Sequence, residues 1–388
     1  MSIQSPPTLL ELAGRSLLND KSRAILDLED MPIELFPQLF VETFSRGHTE
    51  VLKKMVQAWP FTCLPLGALM RKPQHLDEFQ ANLFLWVTRR RDMVHLCCKR
   101  LKIFGKPTRH TRKVLRLLQL DCVQKVEVHC TWATSTLAAC ASFLGQMRNL
   151  RKLLVSQVRV PAHISPEEQE RLLAQLTSQF LRLDCLQTSC VDAVLLLKGH
   201  LEQVLGHLKT PLKTLSITNC RLSDSDWNYP SRFPNTRKLR HVELRHIKLT
   251  SFSPEPLKIL LETVVATLKS LELESCRITD SQLKALLPVL SRCSQLRVLN
   301  FHGNHISMSA LRDLLLHTAM LSQLSRELYP APLESYDAHG DIHPGRCSQL
   351  CAELTAIVRD FRQPKVLVFC AVPCTQCGSM FLYNKGLF

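Results

Sequence analysis

Two cysteines near the C-terminus of this 388-residue chain have the spacing of a chemical site. Cys374 and Cys377 form a C-x-x-C pair, which is half of a tetrahedral zinc site that needs four ligands. The sequence has no second C-x-x-C pair, so we expect a cluster of structural thiols and no bound metal. Side chains that would have to complete a zinc site are Cys347, Cys351, Cys370, His339 and His343.

Other patterns for catalysis or cofactor binding are missing from the sequence. It has no Gly-rich phosphate loop, no metal-binding histidine pair at helical spacing and no nucleophile elbow. His302 and His305 lie near predicted strand ends, where they face either solvent, a turn or a partner. The sequence therefore predicts a binding protein without enzymatic activity and without a cofactor.

A repeated motif, L-x-x-L-x-L-x-x-[C/N]-x-[L/I], predicts the elements that position these side chains. Copies begin at Leu212, Leu239, Leu268 and Leu296, with separations of 27, 29 and 28 residues, the period of leucine-rich repeats. The alternating segment predicts a short strand with one buried face, and the Cys or Asn after it predicts a buried turn. A helix follows, as the capping-box spacing of Thr279 and Gln282 indicates.

Degenerate copies extend the array in both directions. About nine units over residues 115–380 predict an α/β leucine-rich-repeat solenoid, a horseshoe of the ribonuclease-inhibitor type, because each unit must stack on neighbours to bury its apolar face. The degenerate copies are Val123, Val126 and Val128; Leu150, Leu153 and Val155; Leu183, Leu186 and Thr188; Leu324 to Tyr329; and Pro364, Leu367 and Phe369.

Three regions are expected along the chain. Residues 1–70 form an N-terminal helical cap, with helices starting near Thr8, Ile33 and Val51. Residues 71–114 form a basic connecting segment. Residues 115–388 form the solenoid, which ends in an atypical C-terminal cap.

The positive charge is concentrated in one block. The formal net charge is +15, and eleven Lys or Arg lie between Arg89 and Arg116, opposed only by Asp92. Such a block suits an acidic partner, nucleic acid or an import receptor, whereas a solvated helix face is the simpler interpretation. Because the one Phe, Tyr or Trp among these charges, Phe104, is expected to pack inward, we do not expect direct nucleic-acid binding.

Composition favours a protein of the cytoplasm and nucleus. No apolar run has the length of a membrane span, and the first residues lack the order of a signal peptide. The sixteen cysteines are expected to be reduced, since Cys220 and Cys276 stand where a repeat requires a small buried residue and Cys97 adjoins Cys98.

Several stretches resemble the PRAME family of leucine-rich-repeat proteins, and together they cover nearly the whole chain. One departure is a short segment between Leu69 and His95, where family members carry a longer one. The matching stretches are residues 10–14, 34–40, 56–67, 95–99, 215–220, 328–335 and 373–378.

The resemblance implies a substrate-recognition adaptor of a cullin-2 RING E3 ubiquitin ligase, recruited through elongin B and elongin C and holding an unidentified protein client. A structural role as capping helices remains the alternative for the two short docking patterns. The residues that match the elongin-binding pattern are Thr8, Leu9, Ala13 and Leu17, with Ala13 where cysteine is commoner; those that match the cullin-binding pattern are Met31, Pro32 and Leu35.

The family also implies a second role, a non-ligase scaffold that represses transcription and negatively regulates differentiation and apoptosis. Such proteins bind nuclear receptors through L-x-x-L-L helices, and residues 257–261, 283–287 and 311–315 have that form. These strings recur at the repeat period, which predicts that their leucines belong to the core and are not docking residues.

Client contacts are expected at the outward positions of the strands, between the core leucines. Repeat geometry alone selects these positions, and their mixed charge predicts a polar interface. The candidate client-binding residues are Ser216, Thr218, Glu243, Arg245, Glu272, Glu274, Asn300 and His302.

Overall fold

The computed structural model divides the chain into two compact units. The smaller unit comprises residues 1–101, 107–125 and 146–149, and the larger comprises residues 102–106, 126–145 and 150–388. The structure describes residues 12, 16–20, 25, 28, 31–61, 63–65, 95–104, 115–129, 141–157, 165–194, 198–371 and 382–384.

The smaller unit contains the helices predicted from Ile33 and Val51. A 3-10 turn at Ile33–Leu35 leads into α1 (Phe36–Ser45), and α2 (Thr49–Gln57) follows. The predicted helix from Thr8 falls largely outside the described residues. After the helices come two short parallel strands, β1 (Cys63–Pro65) and β2 (His95–Cys97).

An aromatic cluster holds the two helices of the smaller unit together. Trp59, which follows α2, is 3% exposed. Its ring centroid lies 6.1 Å from that of Phe36 and 5.0 Å from that of Phe40, both in edge-to-face arrangements. Such contacts, added to the burial of Val51 and Met55 on α2, give this unit its own core.

Eleven described strands form one sheet in sequence order, and β13 is antiparallel to β12. The strands alternate with helices, as the switch from a period of 2 to a helical period predicts. The strands are β3 (Arg100–Phe104), β4 (Lys125–His129), β5 (Lys152–Ser156), β6 (Thr188–Asp192), β7 (Thr214–Thr218), β8 (His241–Arg245), β9 (Ser270–Glu274), β10 (Val298–Asn300), β11 (Arg326–Pro330), β12 (Val366–Cys370) and β13 (Leu382–Asn384). The helices are α3 (Pro166–Phe180), α4 (Leu201–Leu205), α5 (Asp224–Arg232), α6 (Glu255–Val264), α7 (Asp280–Leu290), α8 (Met308–His317) and α9 (Pro344–Phe361).

Parallel pairing aligns equivalent residues of successive repeats. Leu215 pairs with Val242, and Val242 pairs with Leu271, so the inward residues form continuous apolar rows beneath the helices. The leucine-rich-repeat solenoid predicted from the sequence is confirmed in this unit. The helix starts also agree: Thr279 and Gln282 form a reciprocal capping box, and Ser307 caps α8.

The third degenerate copy was assigned in the wrong register. Ser189 pairs with Leu215 and Val191 pairs with Ile217, so this copy begins at Leu186, not at Leu183. Thr188, assigned inward, lies on the outward side. The physical reason is that Ser189 occupies a leucine position, where its small side chain adjoins an apolar cavity of about 50 Å³.

The turn after each strand uses the side chain of the Cys or Asn position. Asn304 accepts hydrogen bonds from the main-chain N–H of Cys276 and of Ile278, each at 3.0 Å, and donates to the carbonyls of Leu273 and Phe301, each at 2.7 Å. Its side-chain amide therefore supplies hydrogen bonds to main-chain groups that have no partner strand beyond the end of the sheet. Cys276 is buried and its thiol donates to the carbonyl of Leu244.

A feature not predicted from the sequence is the left-handed backbone just after each of the strands β5 to β9. The residue that follows the strand adopts a positive φ, and its N–H donates to a carbonyl of the next repeat, as from Asn219 to Arg245. The residues at this repeat position are Gln157 (φ 60), Ala193 (φ 51), Asn219 (φ 51), His246 (φ 53) and Ser275 (φ 52).

Most described cysteines are free thiols, as expected, but Cys97 is disulfide-bonded. The expectation of reduced thiols is therefore wrong at Cys97. Its position next to Cys98 in the sequence does not show which other thiol the fold brings close to it. Burial raises the pKa of Cys276 to about 12, which makes this buried thiol inert.

No helix in the described ranges combines the length and the apolar character needed to span a bilayer.

Candidate functional site

The open face of the sheet is the side opposite the helices. The eight expected client-binding residues lie on this face in two rows, which the strand register fixes. The first row is Ser216, Glu243, Glu272 and Asn300, and the second is Thr218, Arg245, Glu274 and His302.

Arg245 lies at the centre of three carboxylates. Its Nε is 2.6 Å from Glu243 Oε1, as an ion pair without hydrogen-bond geometry. Its Nη2 donates to Glu272 Oε2 at 2.5 Å, and its Nη1 is 3.4 Å from Glu274 Oε2. Burial acts to lower the pKa of Arg245, but Glu243, Glu272 and Glu274 together raise it. The cluster carries three negative charges against one positive charge, so it favours a further cation or hydrogen-bond donor.

The network continues from the carboxylates towards the next repeat. Asn300 Nδ2 donates to Glu274 Oε2 at 3.1 Å, and His302 Nδ1 lies 3.9 Å from Glu274 Oε1. Ser270 Oγ donates to Glu272 Oε1 at 3.1 Å. These bonds fix the carboxylates before any partner arrives, which lowers the entropy cost of binding.

The other two expected residues lie on β7. Ser216 is 5% exposed and Asn300 is 4% exposed, so these two side chains offer little surface to a client. Thr218 Oγ1 donates to Asp192 Oδ1 at 2.8 Å, and Asn219 Nδ2 donates to the same oxygen at 2.7 Å. Asp192 is a part of the face that sequence reasoning missed, because its repeat was assigned in the wrong register.

A second polar cluster lies on β4 and β5. His129 Nδ1 is 3.3 Å from Ser156 Oγ, and its Nε2 is 3.5 Å from Glu127 Oε2. The order of serine, histidine and carboxylate is that of a nucleophile with its base. However, Ser156 is 5% exposed and its hydroxyl donates to the carbonyl of Val128 at 3.0 Å, while Glu127 pairs with Lys102 at 2.9 Å. These bonds give the cluster a structural role.

The two docking patterns of the N-terminal region are only partly described. Thr8, Leu9 and Ala13 lie outside the described residues, and Leu17 is helical and half-buried. Met31 and Leu35 are also half-buried, whereas Pro32 is exposed.

Ile33, predicted only as a helix start, belongs to neither docking pattern. It follows Pro32 and is 52% exposed, although it is large and apolar. Pro32 and Ile33 therefore form a small apolar surface at the start of the first helix, flanked by Met31 and Leu35.

The cysteines near the C-terminus are only partly described by the structure. Cys374 and Cys377 lie outside the described residues. Cys347 and Cys351 on α9 are buried, with their sulfur atoms 3.8 Å apart. The hydrogen bond between the two sulfur atoms lowers the pKa of Cys347 and raises the pKa of Cys351. Within the described ranges, no three His, Cys, Asp or Glu side chains are grouped to hold a metal ion.

The L-x-x-L-L strings are core, as predicted. None of their leucines is more than 5% exposed, so none is available to a partner's groove while the solenoid is folded. The leucines are Leu257, Leu260, Leu261, Leu283, Leu286, Leu287, Leu311, Leu314 and Leu315.

Of the basic block, four residues lie in the described part of the chain, and all four are exposed. Lys102 pairs with Glu127 at 2.9 Å. The four are Lys99, Arg100, Lys102 and Arg116.

Comparison with known proteins identifies the relatives of this chain. Residues 6–89 match the PRAME N-terminal domain, and residues 66–388 match the PRAME C-terminal domain. PRAME family member 8 of Homo sapiens is 44% identical over 466 residues, covering 99% of this chain and 98% of that protein. PRAME family member 12 of Homo sapiens is 44% identical over 466 residues, covering 99% of this chain and 96% of that protein. Because these alignments exceed 388 residues, both relatives have residues that this chain lacks.

Two solved structures show partial likeness. One is the complex of Rad7 and Elc1 in yeast, with a TM-score of 0.43 at 13% identity, covering 92% of each chain. The other is a leucine-rich-repeat protein of Leptospira interrogans, with a TM-score of 0.29 at 13% identity, covering 78% of this chain and 91% of that one.

Proposed function

Since the chain belongs to the PRAME family of leucine-rich-repeat proteins, we propose that it is a substrate-recognition adaptor of a cullin-2 RING E3 ubiquitin ligase. The N-terminal region docks to elongin C, within the elongin B–elongin C pair, and to cullin-2. The open face of the solenoid holds a protein client. Ubiquitin transfer takes place on other subunits, so the role requires no catalysis and no cofactor from this chain.

The observation that carries the proposal is the exposed Pro32–Ile33 surface. Single exposed apolar side chains are common on folded proteins. Ile33 supports the proposal because it adjoins exposed Pro32 inside the stretch that matches the cullin-binding pattern. Met31 and Leu35, the two apolar positions of the cullin-binding pattern, lie half-buried on either side. The core formed by Trp59, Phe36 and Phe40 fixes the first helix that follows them.

The open face supports the second half of the proposal. Arg245 and its carboxylates form an ordered polar surface, with donors and acceptors held in fixed positions across the two repeats of β8 and β9. A client with a cationic or amide side chain would satisfy the excess negative charge. Electrostatic pairing of this kind gives specificity and a fast association rate.

Assembly from purified components tests the ligase role. The full chain is mixed with elongin B–elongin C and cullin-2, and complexes are separated by size-exclusion chromatography. We expect a complex with the unsubstituted chain, and loss of elongin C with Leu9→Ala combined with Ala13→Asp. Pro32→Ala combined with Ile33→Ser is expected to weaken cullin-2 binding while elongin C remains bound.

Met320→Ser is the matched control, because Met320 is an exposed apolar residue (86%) in the larger unit. The adaptor role is wrong if the unsubstituted chain does not bind elongin C. It is also wrong if the Leu9 and Ala13 variant binds elongin C as tightly as the unsubstituted chain does. A chain that holds a client without elongin C or cullin-2 would instead support the non-ligase scaffold. Such a scaffold would not use the L-x-x-L-L strings, since their leucines are buried.

A further inference from the structure

Basic residues form a row along the edge of the sheet where the strands begin. From β6 to β11, the residue immediately before the strand forms a main-chain hydrogen bond with the equivalent residue of the preceding repeat. The main-chain N–H of Arg240 donates to the carbonyl of Lys213 at 2.8 Å. In the same way, Lys269 donates to the carbonyl of Arg240 at 2.7 Å, and Arg297 donates to the carbonyl of Lys269 at 2.8 Å. These bonds fix one residue per repeat in a continuous line across the strands.

The line extends to further repeats and has a neighbouring row. Gln187 donates to Arg151, and Lys213 donates to Gln187, which continues the line to β5. The first outward residue of each strand forms the neighbouring row. Neither row contains Asp or Glu between β5 and β11. The basic rim is defined as the seven cations of the two rows: Arg151, Lys152, Lys213, Arg240, Lys269, Arg297 and Arg326.

The cations of the basic rim are accessible to solvent and form no ion pair with the carboxylates that the structure describes. Lys213, Arg240 and Arg297 are exposed, and Lys269 is half-buried. Across the described part of the chain, no carboxylate oxygen lies within 4.0 Å of any rim cation. The central arginine of the open face, Arg245, is by contrast surrounded by carboxylates.

His241 lies close to two cations of the basic rim, and both affect its pKa. It follows Arg240 and stands at the first outward position of β8. Its pKa is lowered first by burial and next by Lys269, with a smaller effect from Arg240, while Glu272 acts in the opposite direction. Two rim cations thus act on one side chain between them.

We propose that the basic rim binds an acidic segment of a polypeptide, which lies in extended form across the strands. The proposal rests on the client-binding role given above and names the charge of one client segment. Neighbouring parallel strands lie about 4.8 Å apart, so the line from Lys213 to Arg326 spans about 19 Å. A peptide rising about 3.3 Å per residue covers this line with about six residues, and the long side chains of Lys and Arg adjust to their spacing.

The neighbouring residues favour a polypeptide over a nucleic acid. The two rim rows contain no Phe, Tyr or Trp on which bases could stack. The next outward row contains Glu243 and Glu272, which would repel a phosphate backbone lying on the rim. A polypeptide presents carboxylates to the rim and donors to these two glutamates at the same time.

A labelled acidic peptide tests the proposal. The probe is a fluorescein-labelled peptide of eight residues, six of them Asp or Glu, and its binding to the full chain is measured by fluorescence anisotropy. We expect binding at about 50 mM salt that weakens at about 300 mM, where exposed charges are screened over about 6 Å. Lys213→Glu, Arg240→Glu and Lys269→Glu together are expected to weaken binding by about tenfold or more.

Three cations at the opposite edge of the same repeats supply the matched control. Arg221, Lys248 and Arg277 are exposed, and their combined change to Glu alters the net charge equally. We expect less than about threefold weakening from this control, because it leaves the rim contacts intact. The change in net charge alone acts at a distance, where salt screens it. Far-UV circular dichroism and thermal unfolding verify that both variants fold.

The outcomes separate the rim from the adaptor role. No binding by the unsubstituted chain, or equal weakening by the two variants, overturns the rim proposal while complex formation with elongin C still stands. Tighter binding of a single-stranded oligonucleotide than of the peptide, lost in the rim variant, also overturns it in favour of nucleic acid. If the rim variant loses the peptide but still assembles with elongin C and cullin-2, the rim is a client contact.

Discussion

Arg362 binds both carboxylate oxygens of Glu327 inside the core of the larger unit. Its Nε donates to Oε1 at 2.8 Å and its Nη2 donates to Oε2 at 2.7 Å. Glu327 pairs with Leu299 in the sheet, so it occupies an inward position where the repeats of β9 and β10 have leucine and the repeat of β8 has valine. Arg362 also donates to the carbonyl of Thr318, and Tyr329 Oη donates to Glu327 Oε2 at 2.7 Å, which completes the network.

The first prediction concerns this buried pair. Changing Arg362→Met leaves Glu327 charged and unpaired in the core, and we expect a loss of about 3–5 kcal/mol in the free energy of unfolding. Glu327→Leu is expected to cost a similar amount, because Arg362 then lacks its carboxylate. The double variant is expected to recover most of the loss, since no isolated charge remains. Urea denaturation of the four proteins measures these differences, and additive losses would contradict the explanation.

The second prediction concerns the turn asparagine. Asn304→Ala removes hydrogen bonds to four main-chain groups, and we expect a loss of about 3 kcal/mol or more from the unpaired buried groups. Asn304→Cys is expected to cost less, because Cys276 fills the equivalent position of the preceding repeat. Asn228→Ala, which removes one exposed hydrogen bond, is the control. Equal midpoints for the Asn304→Ala and Asn228→Ala variants in thermal unfolding would refute the assigned role.

The third prediction separates core from docking leucines. Leu314 of the third L-x-x-L-L string is fully buried, while Leu316 on the same helix is 47% exposed. Leu314→Ala is expected to lower the free energy of unfolding by about 2–5 kcal/mol, and Leu316→Ala by less than about 1 kcal/mol. Denaturant titration compares the two variants. A Leu314→Ala variant with unchanged stability would place that leucine at a docking surface.

The fourth prediction concerns the pH dependence of the open face. Arg245→Gln leaves Glu243, Glu272 and Glu274 without the cation that they share, so their negative charges repel one another at neutral pH. This repulsion is relieved in acid, where carboxylates are neutralised. The variant is therefore expected to be less stable than the parent near pH 7, with a difference that shrinks towards pH 4.

Thermal unfolding at a series of pH values measures this difference. Arg240→Gln is the control, because Arg240 is exposed and has no carboxylate within 4.0 Å in the described part of the chain. Its stability difference from the parent is expected to be small and independent of pH. A constant deficit for Arg245→Gln would show that the carboxylates do not interact through this arginine.

The apolar periodicity of the sequence predicts the solenoid because burial of alternating leucines is a local demand that every unit repeats. Leu212, Leu239 and Leu268 were assigned correctly, since each copy carries enough apolar residues to define its own register. The same logic identified the leucines of the L-x-x-L-L strings as core. Where one apolar residue was replaced, as at Ser189, the pattern shifted to a neighbouring pair and the register was wrong.

The sequence predicts which strand residues face outward, but not how their charges pair. Alternation along a strand selects Arg245, Glu243 and Glu274 as outward residues. That three carboxylates converge on one guanidinium depends on which residues of β8 and β9 lie side by side. Likewise, the charged pair of Glu327 and Arg362 joins residues 35 positions apart, and no local pattern reports it.

The sequence by itself determined the repeat period, the family and the inward face of each strand, because these follow from side-chain burial within units of about 28 residues. Only the tertiary structure decided which charges are paired. Arg245 and Arg362 are bound by carboxylates, whereas Lys213, Arg240 and Lys269 are aligned on the basic rim without them. The reason is physical: charge pairing depends on distances between repeats, and stacking sets those distances.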